Sequence, residues 1–186
     1  MIVWVSGTTG SGKTTLSNLF ASLGWSIVRE QLPTQAFSDF AAAPHKCCEP
    51  LQRAIIGSRL EQFKKLTSGN IVFDRSASED VAVFCQMHYE RGYLDLPAYD
   101  RLRHLANYAE AQMPTPDLIL YLAPSVETLQ RRISATHPAV IAENLSRQLA
   151  LYEEWIGSRQ EDVLRVDNTS CGPGALVRLF EGIRNA

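Results

Sequence analysis

The sequence predicts an α/β fold, a five-stranded parallel sheet with helices on both faces. Two observations carry this. Five short apolar runs alternate with segments whose apolar residues recur at helical spacing. The first run leads directly into a turn crowded with glycine, serine and threonine around one lysine, and a helical pattern follows.

Ile2–Ser6 is a short apolar run, the pattern of a strand buried on both faces. Thr14–Leu23 has helical spacing, and Gly24 stands where a C-terminal cap would. Trp25–Arg29 reads as the second strand. Residues 31–48 read as loop with one short helix, because Pro33, Pro44 and an alanine-rich patch break any period. Leu51–Leu66 is a helix carried by Leu51, Ala54, Ile55, Leu60, Phe63 and Leu66, and Gly69-Asn70 stops it. Ile71–Asp74 is the third strand. Glu79–Arg91 and Pro97–Ala111 are helices around Gly92, and Leu118–Leu122 is the fourth strand. Val126–Ile133 and Glu143–Trp155 are helices separated by Ser134–Ala139. Val163–Val166 is the fifth strand, and Ala175–Ile183 closes as a helix.

With 186 residues, 45% hydrophobic and 20% charged, the chain suits one domain spanning 1–186. A formal net charge of -2 gives no electrostatic case for nucleic acid or an anionic membrane as partner. No apolar stretch approaches the roughly 20 residues needed to cross a bilayer. The N-terminus lacks the features of a signal peptide, so a cytoplasmic location is expected. Cys47, Cys48, Cys85 and Cys171 show no paired metal-ligand spacing, and the histidines are scattered.

Gly7-x4-Gly12-Lys13-Thr14 satisfies every fixed position of the phosphate-binding P-loop, between a strand and a helix as that motif requires. Glycines allow successive backbone N–H groups of Gly7, Thr8, Thr9, Gly10, Ser11 and Gly12 to turn onto phosphate oxygens. The helix start at Lys13–Thr15 adds its positive end. Lys13 reaches the β- and γ-phosphates, and the Thr14 hydroxyl ligates Mg²⁺. The loop alone does not separate ATPases, GTPases and small-molecule kinases.

No guanine-reading N-K-x-D occurs, which argues against a GTPase. The third strand ends Asp74-Arg75-Ser76, at the edge of the sheet where ligands bind. Asp74 is a candidate for holding Mg²⁺, partly through water, and Arg75 for gripping the acceptor; the plainer reading is a surface ion pair. Glu30 follows the second strand and can take a proton from an attacking hydroxyl, unless it is simply solvated at the start of a loop. Arg131 and Arg132 precede a small-residue and proline segment that suits a lid at about 131–140; their plainer reading is helix-surface charge. The fold thereby sharpens to a three-layer P-loop kinase with a short lid.

These segments together resemble the deoxynucleoside kinase family: Gly7–Thr15, Glu30, Leu51-Gln52, Asp74-Arg75-Ser76, Leu118–Leu122 with Arg131-Arg132, Leu151–Trp155 and Val163–Asp167. The resemblance implies a homodimer that transfers the γ-phosphoryl group of ATP, with Mg²⁺, to a deoxynucleoside 5′-hydroxyl. It makes Glu30 the general base and Arg75 the group that holds it and the hydroxyl in register. Gln52 would read the base edge in two-point fashion, and Phe84 would stack on the base, although core packing is its plainer role. Arg59 and Asp80 would pair at the pocket floor, which favours a purine, then deoxycytidine, and crowds a thymine methyl; an ordinary ion pair between helices is the alternative. The chain departs from the family in an arginine-free Ser134–Val140, with His137 near the expected sugar contact. Two alternatives remain at this stage: another P-loop kinase acting on a nucleotide or small alcohol, and a nucleotide-binding regulatory module without catalysis.

Overall fold

The computed structural model describes residues 1–31, 33–66, 69–136 and 144–170. Its strands are β1 (Ile2–Ser6), β2 (Ser26–Val28), β3 (Ile71–Asp74), β4 (Leu118–Leu122) and β5 (Val163–Val166). They form one parallel sheet in the order β2-β3-β1-β4-β5. The five predicted strands are all present. The predicted closing helix Ala175–Ile183 lies outside the described residues.

Alternation along the strands divides the core. Val3, Val5, Val72, Leu120 and Leu122 face the helix α1 (Lys13–Ser22), whose Leu16 and Phe20 are buried against them. Trp4, Ile71, Phe73, Ile119 and Tyr121 face the opposite layer. That layer contains helix α8 (Leu145–Gly157), which contributes Leu151, Tyr152 and Trp155. Strands buried on both faces need apolar residues at every position, which is why these runs lack polar alternation.

Helix α2 (Thr34–Ala42) and helix α3 (Pro44–Phe63) replace much of the loop expected over 31–48. Pro50 sits inside α3. Proline removes a backbone donor and crowds the preceding turn, so the sequence reading begins the helix after it. Tertiary packing overrides that preference: Cys48 is fully buried among Ile56, Ala77 and Leu102. The predicted helix Glu79–Arg91 is also more complex. It comprises α4 (Ala77–Glu79), a π-helical turn Asp80–Cys85 and α5 (Gln86–Glu90). Helix α6 (Leu96–Ala111) starts at Asp95, whose carboxylate accepts a hydrogen bond from the Ala98 N–H. Helix α7 (Val126–Thr136) continues three residues beyond its predicted end at Ile133, and Arg131 and Arg132 lie within it as predicted. The rest of the predicted lid, 137–140, falls outside the described residues. Among the described residues no helix is long and apolar enough to cross a membrane.

The chain leaves β1 for β2 on one side of the sheet and later reaches β4 on the other. Ligands of open α/β sheets bind where the winding direction reverses, at the carboxyl ends of the strands. Strand β3 ends at Asp74, and the turns after β1, β2 and β3 carry Gly7, Glu30 and Arg75.

Phe20 packs edge-on to Trp25 with ring centroids 5.0 Å apart. Phe20→Ala is expected to cost about 3–5 kcal/mol, because the close-packed layer collapses only partly into the space left. The check is urea unfolding, with the midpoint lowered and the slope unchanged.

Candidate active site

The phosphate loop runs from β1 into α1. Gly7, Gly10 and Gly12 have φ of 146°, 79° and 100°. At Gly7 a Cβ would lie 2.7 Å from the Leu122 carbonyl oxygen, so both conformation and space demand glycine there. The Lys13 ammonium folds back over the loop and donates to the carbonyls of Gly7 and Thr8 at 2.9 and 2.8 Å. Burial, and after it the charge of Arg75, lowers the Lys13 ammonium to about 8. The loop is also pinned from outside. Asn168, just beyond β5, donates through Nδ2 to the Ser11 carbonyl at 2.7 Å. Gln148 of α8 accepts from the Thr9 N–H at 2.9 Å.

Arg75 is the centre of the second half of the site. It is the only described non-glycine residue with positive φ, 70°, a conformation that costs on the order of 1 kcal/mol. Its N–H still completes the ladder on the Val5 carbonyl at 3.1 Å. Its Nε stands 3.2 Å from Glu30 Oε1. Its Nη1 lies 3.3 Å from the Gly7 carbonyl, 3.2 Å from Glu79 Oε1 and in contact with the Tyr152 hydroxyl. Phe84 covers the guanidinium face, 4.5 Å from Cζ to ring centroid. Burial opposes this charge, yet the carboxylates of Glu30 and Glu79 outweigh it and raise Arg75 well above its ordinary value.

Glu30 has a quarter of its side chain exposed, open to the crevice. Burial would raise its carboxyl; Arg75, Arg59 and Lys13 outweigh that and hold it below the usual carboxylate range. Arg59 of α3 is fully buried and grips Asp80 with two bonds, Nε to Oδ2 at 2.7 Å and Nη2 to Oδ1 at 3.0 Å. Its Nη1 donates to the Asp74 carbonyl at 2.5 Å, and Nη2 lies 3.8 Å from Glu30. Burial pushes the Asp80 carboxyl up to about 6, with Arg59 opposing. Gln52 is buried on the same face of α3, and its Oε1 accepts a weak bond from the Cys85 thiol at 3.7 Å.

The structure therefore brings Gly7–Thr15, Glu30, Gln52, Arg59, Asp74, Arg75, Asp80 and Phe84 to one sheet edge. Arg132 reaches the loop in another manner than a free lid group: it donates to the carbonyls of Gly10 and Ser11 at 3.4 Å each and of Asn168 at 3.1 Å. Arg131 is exposed on α7. His137 lies outside the described residues. Sequence reading missed Ser6, Glu79, Tyr152 and Asn168. For Glu79 a signal existed, since Ser76-x-x-Glu79 is a helix-start pattern. The structure confirms half of it: the Ser76 hydroxyl accepts from the Glu79 N–H at 3.1 Å, while the Glu79 carboxylate turns inward instead.

A sequence model of the deoxynucleoside kinase family matches residues 3–168. The deoxyadenosine/deoxycytidine kinase of Bacillus subtilis (strain 168) is 29% identical over 138 residues, 71% of this chain and 64% of that protein. The match thus spans a little under two thirds of that relative's length. The fold is shared with deoxyadenosine kinase from M. mycoides. Its dATP-bound structure superposes with a TM-score of 0.82 at 23% identity, covering 100% of both chains. The structure with dCMP and a flexible dCDP gives 0.80 at 24% identity, covering 100% of this chain and 98% of that one.

An anion in the loop favours the charged form of Lys13 and raises its titration above about 8, so binding draws in a proton at alkaline pH. Polyphosphate affinity should weaken as pH climbs past about 8. Calorimetry in buffers of different ionisation enthalpy should show uptake of close to one proton at about pH 9 and almost none at about pH 7. Lys13→Arg, which stays charged, should abolish the uptake; an unchanged uptake in that variant refutes the assignment.

Proposed function

The chain belongs to the deoxynucleoside kinase family, and from that premise we propose that it transfers the γ-phosphoryl group of ATP to the 5′-hydroxyl of a deoxynucleoside. One observation carries this reading. A carboxylate open to the crevice and a buried guanidinium meet at 3.2 Å, and the same guanidinium lies 3.3 Å from the first carbonyl of the phosphate loop. A nucleotide acceptor arrives with its phosphate already ionised and needs no base. An alcohol needs one beside the loop.

Glu30 is held in its ionised form and receives the proton of the attacking 5′-hydroxyl. Arg75 orients Glu30 and that hydroxyl while neutralising charge near the loop. Backbone N–H groups of Gly7–Thr15 cradle the phosphates, and Lys13 exchanges its two carbonyl partners for phosphate oxygens. Arg132 steadies the loop, and Arg131, exposed at the preceding position of α7, is the candidate for direct contact with the transferring group. The phosphoryl transition state is mainly a problem of positioning and charge, and these groups answer it.

The residues also fit Mg²⁺. Asp74 Oδ1 is buried without a hydrogen-bond partner, an uncommitted hard oxygen at the loop. Asp74 and the Thr14 hydroxyl would hold the ion, which supplies neutralisation between the terminal phosphates. Among the described residues no group of three or more acidic, histidine or cysteine side chains could hold a metal.

On the acceptor side, Gln52 and Phe84 would receive the base, with Arg59 and Asp80 fixed at the floor of its pocket. The Bacillus relative's name gives deoxyadenosine and deoxycytidine as its substrates, which supports a base with an exocyclic amino group. Our reading is a purine deoxynucleoside first and deoxycytidine second.

Glu30→Gln should lower kcat by about 10²–10⁴-fold and leave the KM for ATP nearly unchanged; a variant at wild-type kcat ends the base assignment. Assayed over the four deoxynucleosides and their ribose forms, thymidine should be the poorest acceptor. Thymidine as the best acceptor removes the role given to Arg59 and Asp80.

A further inference from the structure

Glu79 is a fully buried carboxylate that the proposed chemistry does not use. Its oxygens are nonetheless completely engaged. Oε2 accepts from the Ser6 hydroxyl at 2.7 Å. Oε1 accepts from the Tyr152 hydroxyl at 2.5 Å and faces Arg75 Nη1 at 3.2 Å. Ser6 is the last residue of β1, so its neighbour is the first glycine of the phosphate loop. Tyr152, also fully buried, comes from α8, seventy-seven positions from Arg75, and touches that arginine as well. Burial pushes the Tyr152 phenol well above its ordinary value, so it remains a neutral donor. Burying a carboxylate and a phenol together is costly where an apolar pair would pack as well.

We propose that Glu79 and Tyr152 are positioning residues for Arg75, and that through Ser6 they lock the acceptor side of the site to the strand end that launches the phosphate loop. The inference rests on the kinase reading above and deepens it. An arginine side chain has four rotatable bonds, and unguided it would point Nε at Glu30 only part of the time. Here Nη1 is anchored at the back by Glu79, Tyr152 and the Gly7 carbonyl, which leaves Nε in front of Glu30. A carboxylate that bonds both the last residue of β1 and Arg75 also makes the spacing between base and phosphate a fixed quantity. Small errors in such spacing are costly to rate.

The test compares wild type with Tyr152→Phe, which keeps the ring in the core, and Glu79→Gln, which keeps the bond to Ser6. Two readouts are taken: kcat and KM for both substrates, and the guanidinium NMR signals of Arg75 in the free protein. Wild type should show separate, slowly exchanging Nη signals. Both variants should merge them and lose about tenfold or more in kcat, with the KM for ATP changed by less than about twofold. If Glu79→Gln does not fold, Tyr152→Phe decides. A kcat within about twofold of wild type in Tyr152→Phe overturns the proposal, and so does a lower kcat with unaltered Arg75 signals, which marks a structural role only. If wild type phosphorylates no nucleoside, the kinase reading fails, and the Arg75 signals alone decide whether the pair holds the guanidinium: signals that stay separate in Tyr152→Phe overturn it.

Discussion

The guanidinium of Arg75 lies between two carboxylates that reach it from opposite sides, Glu30 from the turn after β2 and Glu79 from the helix that follows β3. Removing either partner would leave a buried charge partly unpaired, which commonly costs about 3–5 kcal/mol. The surrounding structure is arranged around this constraint. The backbone of Arg75 accepts a left-handed conformation, Phe84 lies across its face, and the first loop carbonyl takes one of its protons.

The same logic extends to the neighbouring charges. Lys13, Arg59 and Arg75 are buried cations, and Asp74, Glu79 and Asp80 are buried anions, with Glu30 at the rim. The three cations sit beside a carboxylate or a carbonyl, and Glu79 and Asp80 each sit beside an arginine. Such an assembly is poor at stabilising a fold, because desolvation offsets most of the attraction. Stability comes instead from the two apolar layers on either side of the sheet. The division suits the proposed phosphoryl transfer, because charges held in place before the substrate arrives need not reorganise during reaction.

Much of this was legible in the chain. The sheet was readable because strands buried on both faces are continuous apolar runs, and the loop because its glycine spacing answers to phosphate geometry. Glu30 and Arg75 were readable as charged residues at strand ends, whereas Arg59 and Asp80 came only through the family resemblance. Glu79 and Tyr152 were not. One matched a helix-start pattern and the other an apolar helix face, and only the tertiary fold decides that both polar ends meet Arg75. Helix α2 and the first turns of α3 were hidden by Pro33, Pro44 and Pro50, local preferences that packing overrode. Arg132 shows another limit. Its presence was predicted, but that it grips loop carbonyls depends on the distance from α7 to Gly10.

The π-helical turn at Asp80–Cys85 sets the phase of everything after it. Such a turn contains one residue more than a regular helix would need. It lets Asp80 reach Arg59 while Phe84 lies over Arg75, and Met87 still enters the core one turn later. Excising one residue here would let the segment relax into an ordinary helix and rotate its downstream side chains by about 100°. The pocket and the sheet could then no longer both be served. The length of this segment, and not only its composition, is therefore fixed by the need to serve Arg59, Arg75 and the core from one short stretch of chain.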